Sequence, residues 1–137
     1  MANAQRTLVL LKPDAVRRGL VGEILRRYEA KGLSIVSMDL RTIDGDVADQ
    51  QYAEHLERDF YPPLREFITS GPLVAAVVEG DEAIEVVRLL NGATDARKAA
   101  PGTIRGDLAL SNRENLVHGS DSPDSAEREI KIFFPDL

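Results

Sequence analysis

The pattern of this chain predicts an α+β fold, a four-stranded antiparallel sheet in a split βαβ arrangement with helical insertions. Short apolar runs alternate with longer segments whose apolar residues recur every three or four positions. Gly and Pro punctuate the junctions, and with two insertions set aside the order is strand, helix, strand, strand, helix, strand.

Residues 7–11 are a continuous apolar run stopped by Lys12-Pro13-Asp14, which reads as a central strand ending in a loop. Over 21–31, Val21, Ile24, Leu25 and Tyr28 recur at helical spacing, and Gly32 is placed to end that helix in the left-handed conformation. Val36, Met38 and Leu40 then alternate with Ser37, Asp39 and Arg41, the period of a strand with one solvated face. Residues 46–56 and 60–69 read as inserted helical segments, Pro62-Pro63 being tolerable only in the first turn of the second. A β-prone apolar run over 73–78 gives the third strand. The segment 81–90 gives a helix with Ala83, Ile84, Val87 and Leu90 on one face, ending before Asn91-Gly92. A long loop over 92–114 leads to a short strand at Leu116 and Val117. Ser122-Pro123 then reads as an N-cap with proline at the first helical position, opening a helix towards Phe134. This is the order of ferredoxin-like folds, which host many unrelated activities, so function has to be argued from the site.

At 137 residues the chain fits a single domain over 1–137, large enough to bury a core without disulfides or a structural metal. It has no cysteine, which excludes thiol nucleophiles, redox pairs and thiolate zinc sites. Met1 to Arg6 lead into an apolar run too short to span a membrane and unlike a cleavable signal, so a cytoplasmic protein is expected. A net charge of -6 argues against broad binding to nucleic acid. No GxxxxGK[ST] loop or GxGxxG turn occurs, which excludes the Walker and Rossmann nucleotide sites.

One of only two histidines, His118, lies in Asn115-Leu116-Val117-His118-Gly119-Ser120-Asp121-Ser122, where a strand is expected to break before a helix. Such breaks expose side chains, and an imidazole there is either reactive or structural. Lys12, Arg88 and Arg105 stand at element ends or in loops, and with the hydroxyl of Thr94 they suit a polyphosphate. Each also has a structural reading: Arg88 in a helix's last turn gains from the macrodipole, and Lys12 and Arg105 fit solvated loops or turns. Glu129 lies beside the face formed by Ala126, Ile130 and Phe133. A carboxylate there can orient an imidazole or be an ordinary surface group. Tyr52 and Phe60, in the inserted segments, are core residues or a platform for a planar base. His55 reads as a solvated helix residue without a role.

Four separated stretches carry a specific resemblance over nearly the whole chain. They are Thr7-Leu8-Val9-Leu10-Leu11-Lys12-Pro13-Asp14-Ala15-Val16, Thr69-Ser70-Gly71-Pro72, Pro101-Gly102-Thr103-Ile104-Arg105-Gly106-Asp107 and the octapeptide around His118. With them the chain resembles nucleoside diphosphate kinases. The resemblance implies that His118 accepts the γ-phosphoryl group of a nucleoside triphosphate, mainly ATP, and passes it to a nucleoside diphosphate with ping-pong kinetics. It implies that Lys12, Arg88, Thr94 and Arg105 hold the phosphates with Mg2+, that Lys12 and Asn115 meet the sugar, and that Phe60 stacks on the base. Tyr52 and Ser120 would support the site and Glu129 would orient His118. Glu54 and Asp121 would reach the magnesium through water, with no direct protein ligand. The implied assembly is a homo-oligomer, tetramer or hexamer.

The chain departs from the commoner family pattern at Asn112, where a small apolar residue often faces the base, and at Leu108, where an aromatic is usual. Ala96 follows Asp95 where many members have Asn-Pro, in a loop used for subunit contacts. Two rival readings are a nucleotide-binding regulatory protein without turnover and a histidine phosphatase that releases phosphate to water.

Overall fold

The computed structural model describes residues 4–137. Four strands, β1 (Ala4–Leu11), β2 (Ser34–Arg41), β3 (Leu73–Asp81) and β4 (Val117–Gly119), form one sheet in the order β2-β3-β1-β4. Every neighbouring pair is antiparallel, as the split βαβ reading expects. The helices are α1 (Pro13–Arg17), α2 (Val21–Ala30), α3 (Gly45–Gln51), α4 (Tyr61–Ile68), α5 (Ala83–Asn91), α6 (Ile104–Leu108) and α7 (Pro123–Phe133). Short 3-10 turns occur at Ala53–His55 and Ala96–Lys98. No helix among the described residues is long and apolar enough to cross a membrane.

The continuous apolar character of β1 and β3 follows from burial on both faces. Val9 and Leu11 pack with Val74, Ala76 and Val78 under residues of α2 and α5. Leu8 and Leu10 pack with Leu73, Ala75 and Val77 under residues of α3, α4 and α7. Because side chains alternate along a strand, residues paired across a ladder share a face. Leu10 pairs with His118, so the imidazole belongs to the α3 and α7 face, while Val117 and Gly119 belong to the other. Gly119 is required there, because a Cβ would come within 2.9 Å of Val87 Cγ1 and 3.2 Å of Asn91 Nδ2 on α5.

Several boundaries depart from the pattern. Lys12-Pro13-Asp14 is not a loop: Pro13 opens α1, where its missing N–H costs nothing. The stretch over 92–114 contains α6, whose N-cap hydroxyl of Thr103 accepts from Gly106 N at 2.9 Å. The segment over 46–56 breaks at Tyr52 into α3 and a 3-10 turn. Gly32, at φ +106°, and the Ser122-Pro123 start of α7 agree with expectation.

On β2 two of the apolar side chains, Met38 and Leu40, are uncovered. The register shifts between Ile35 and Ser37, so Val36 packs against the α3, α4 and α7 core. Met38 and Leu40 pair with Ala76 and Val74 but are 54% and 62% exposed, beyond the reach of α2 and α5 at the sheet edge.

Leu116 was expected in the last strand but lies just before it, at φ +74°. Val117 N donates to Asn115 O at 2.9 Å across it, which makes a γ-turn of the rarer, positive-φ hand. A left-handed leucine costs roughly 1–3 kcal/mol and persists only where its surroundings hold it. Here Leu116 N donates to Asp14 Oδ2 at 3.1 Å, and Leu116 O accepts from Lys12 N at 2.8 Å. His118 is therefore the middle residue of β4 and not a residue at its end. Leu10→Ala, which empties the fully buried position opposite His118, is expected to cost about 2–5 kcal/mol of unfolding free energy, read from the urea midpoint.

Candidate active site

One open cleft of about 1010 Å3 collects Lys12, Tyr52, Glu54, Phe60, Arg88, Thr94, Arg105, Asn115, His118, Asp121 and Glu129. These are the candidates the sequence singled out, save Ser120, which lies buried behind the histidine. They come from β4, α5, α6, α7 and the segments between elements, so the fold supplies the convergence that spacing cannot.

Glu129 is buried, at 4% exposure, which removes the surface reading of its carboxylate. Its Oε1 lies 2.8 Å from His118 Nε2 and accepts from Ser120 Oγ at 2.7 Å. Burial would raise its pKa, but the hydrogen bonds from His118, Ser120 and Gln51, with the attraction of the imidazole, together hold it below its ordinary value. An ionised carboxylate can only accept, so Nε2 carries the ring proton and Nδ1 keeps its lone pair. The imidazole is thus an oriented nucleophile at Nδ1.

Lys12 is buried and donates from Nζ to Asn115 Oδ1 at 2.8 Å. Burial, and secondarily the charge of Arg105, lower its pKa to about 8. Asn115 in turn donates from Nδ2 to Thr94 O at 2.9 Å and Asn112 O at 3.1 Å, which joins the lysine to two loops. Arg105 is not the solvated turn residue of its structural alternative. It donates to Asn115 O at 3.2 Å, Gly92 O at 2.8 Å and Val117 O at 2.6 Å, bracing the backbone on both sides of Leu116. With three of five N–H groups committed to carbonyls, two are left for an anion. Arg88, in the last turn of α5, is exposed and faces the cleft, so the macrodipole and an anion can both use its charge.

Phe60 is 48% exposed on the cleft wall, and Tyr52 is buried with its hydroxyl unpartnered. Between them lies His55, whose ring centroid is 6.2 Å from that of Tyr52 and 5.3 Å from that of Phe60. His55 is therefore part of the aromatic wall and not a solvated residue. Asn112 lines the cleft, whereas Leu108 packs against the α2 and α5 core and does not.

Two further residues carried no sequence signal. Gln51 ends α3 with its amide nitrogen 3.1 Å from His118 Nε2. Arg128 lies 3.6 Å from Glu129 and donates to Gln50 O at 2.7 Å. Neither falls in a motif, since only the packing of α3 against α7 brings them to the histidine.

The family model for nucleoside diphosphate kinase matches residues 5–137. The chain belongs to the nucleoside diphosphate kinase family. A nucleoside diphosphate kinase of Nocardioides sp. is 77% identical over 132 residues, 96% of this chain and 98% of that protein. One from Cutibacterium acnes is 61% identical over 137 residues, 100% of this chain and 99% of the relative. Among solved structures, a halophilic nucleoside diphosphate kinase from Halobacterium salinarum in complex with CDP is 51% identical with a TM-score of 0.94. That match covers 96% of this chain and 88% of the other.

For this nucleoside diphosphate kinase family member the buried lysine has a thermodynamic cost. Unfolded Lys12 titrates near 10.5 and folded Lys12 at about 8, so below pH 8 the fold buries a charge, costing on the order of 3 kcal/mol. Between pH 8 and 10.5 the unfolded state binds more protons, and the penalty fades as pH rises. Lys12→Met is expected to stabilise the nucleotide-free protein at pH 7 by about 1–2 kcal/mol, because the freed Asn115 oxygen offsets part of the gain. The gain should vanish by pH 10, as urea unfolding at the two pH values would read.

Proposed function

We propose that this chain transfers the γ-phosphoryl group of a nucleoside triphosphate, mainly ATP, to a nucleoside diphosphate through a phosphohistidine at His118. The observation that carries the assignment is the pairing of His118 Nε2 with the buried Glu129, which leaves Nδ1 open in a cleft walled by Lys12, Arg88 and Arg105. In the first half-reaction the Nδ1 lone pair attacks phosphorus, the bond to the bridging oxygen breaks, and its electrons leave on the diphosphate. In the second, an oxygen of another diphosphate attacks, the P–N bond breaks, and its electrons return to Nδ1.

Lys12, Arg88, Arg105 and Thr94 hold the phosphate oxygens. Charges already fixed in place stabilise the transferring group without reorganising at the moment of reaction. Asn115 and Lys12 meet the sugar, and Phe60 offers a π-face that every base shares, which supports broad base tolerance. Tyr52, buried beside the histidine ring, and Ser120, bonded to Glu129, hold the orienting pair. A regulatory protein without turnover would need the cations and the aromatic wall but not an oriented, ionised Glu129.

The donor set fits magnesium carried in on the nucleotide. Among the described residues no three His, Asp or Glu side chains are grouped to hold a metal, while the separate carboxylates Glu54 and Asp121 line the cleft within reach of metal-bound water. When bound, such an ion would supply neutralisation of the phosphate charge. A cytoplasmic location fits the substrates. Self-association, to a tetramer or hexamer, is supported by exposed Met38 and Leu40 on an open sheet edge, a surface that in water favours another copy over solvent. Light scattering reads the molar mass.

His118→Ala is expected to abolish both transfer from ATP to a second diphosphate and labelling of the protein by γ-labelled ATP. An acid-labile, base-stable phosphoprotein in that variant would assign the nucleophile elsewhere. Phosphate beside Lys12 should raise its pKa from about 8, so nucleotide binding at pH 8 should take up about half a proton. Calorimetry in buffers of different ionisation enthalpy measures that uptake, and Lys12→Met should remove it.

A further inference from the structure

The segment that follows β1 grips the turn before β4 at three points. Lys12 N donates to Leu116 O at 2.8 Å, Lys12 Nζ donates to Asn115 Oδ1 at 2.8 Å, and Asp14 Oδ2 accepts from Leu116 N at 3.1 Å. The third contact is not explained by the helix that carries it. Asp14 stands in the first turn of α1 and is 3% exposed, yet it gives this bond to a residue 102 positions away, while its Oδ1 is buried without a partner. A carboxylate accepts through either oxygen, so turning the group leaves donor and acceptor unchanged.

Leu116 is fully buried and sits at φ +74°. Without Asp14 its N–H would have neither an acceptor nor water. Two costs would then act on one residue, the orphaned donor and the left-handed backbone, and rotation of the peptide between Asn115 and Leu116 relieves both. That peptide carries Asn115 O, which accepts from Arg105 Nε at 3.2 Å and from Val117 N at 2.9 Å. Its rotation breaks both bonds and unseats Asn115, whose side chain holds Lys12 Nζ and donates to Thr94 O. Burial pushes the Asp14 carboxyl above its ordinary value, against the pull of Lys12 and of the Leu116 N–H. The buried charge is therefore a cost of this position, and the acceptor is its use.

We propose that Asp14 is a positioning residue for phosphoryl transfer: its oxygen holds Leu116 in the left-handed turn, and the turn sets Asn115 so that Lys12 Nζ stands ready for the phosphate. This rests on the transfer reaction at His118. Asp14 does not line the cleft and acts only through the turn.

Side chains of one shape separate acceptor from charge. Asp14→Asn keeps an oxygen for Leu116 N, and Asp14→Leu keeps the branch without one. Amide hydrogen exchange at Leu116, measured without substrate, should be as slow in Asp14→Asn as in wild type and at least about tenfold faster in Asp14→Leu. The wild-type phosphoenzyme, made with γ-labelled ATP, is mapped to His118. Absence of label there overturns the transfer reading and this proposal with it, whereas a labelled wild type with unaltered variants overturns this proposal alone. Transfer from isolated phosphoenzyme to saturating diphosphate is counted per labelled site and is blind to any unfolded fraction. It should slow about tenfold in Asp14→Leu, equivalent to about 1.4 kcal/mol in the barrier, and stay within about threefold of wild type in Asp14→Asn. KM for nucleotide should change less than the rate, because the lysine charge acts on the transferring group. A wild-type rate in Asp14→Leu, a rate in Asp14→Asn as low as in Asp14→Leu, or a loss confined to KM or to thermal stability would overturn the proposal. If Asp14→Leu does not fold, Asp14→Ala decides by the same two readouts.

Discussion

His118 has to project from the α3 and α7 face of the sheet, and its pairing with Leu10 puts it there. A slip of one residue in this three-pair ladder would turn the imidazole towards α5, away from Glu129 and Gln51. The register is held from several sides. Gly119 lets α5 pack against the strand, Arg105 brackets the preceding turn through the Asn115 and Val117 carbonyls, and Asp14 and Lys12 fix both polar groups of left-handed Leu116. The strain at Leu116 is thus the local expense of ending a loop and starting a strand within two residues, with the histidine second in line.

Charge is placed against stability in the same region. Lys12, Arg105, Asp14 and Glu129 are all buried, and burial pushes the first two down and Asp14 up. Only Glu129 goes below its ordinary value against burial, because hydrogen-bond donors surround it. A site that holds cations out of water before any anion arrives is less stable alone and better prepared for a phosphate, since solvent need not reorganise when charge moves. Arg105 braces the backbone with part of its guanidinium and has two N–H groups uncommitted to carbonyls.

Much of the fold was legible because burial writes itself into periodicity. The unbroken apolar runs of β1 and β3, the helical spacing in α2 and α5, Gly32 and Ser122-Pro123 each report a local preference that the tertiary structure respects. The failures have local causes as well. Helices α1 and α6 are five residues each, too short for a helical period to repeat. On β2 the alternation was real, yet Met38 and Leu40 are the uncovered side chains, because a pattern states which residues share a face and not whether anything covers it. His55 looked like a surface residue because no local pattern marks it for burial, while its ring stands between the aromatic rings of Tyr52 and Phe60.

The sequence by itself determined most of the elements, their order, and the chemical inventory of the site: one histidine flanked by an apolar pair and a glycine, three cations and a carboxylate, beside motifs specific enough to name a family. Tertiary structure alone decided which nitrogen of His118 is free, that Glu129 is buried, that Arg105 spends three donors on carbonyls, and that the Gln51 amide lies against the histidine ring. The reason is physical. Local sequence governs backbone preference and side-chain alternation over a few residues, whereas hydrogen-bond partners and desolvation depend on what α3, β1, β4 and α7 bring together from positions as far apart as Leu8 and Ser120.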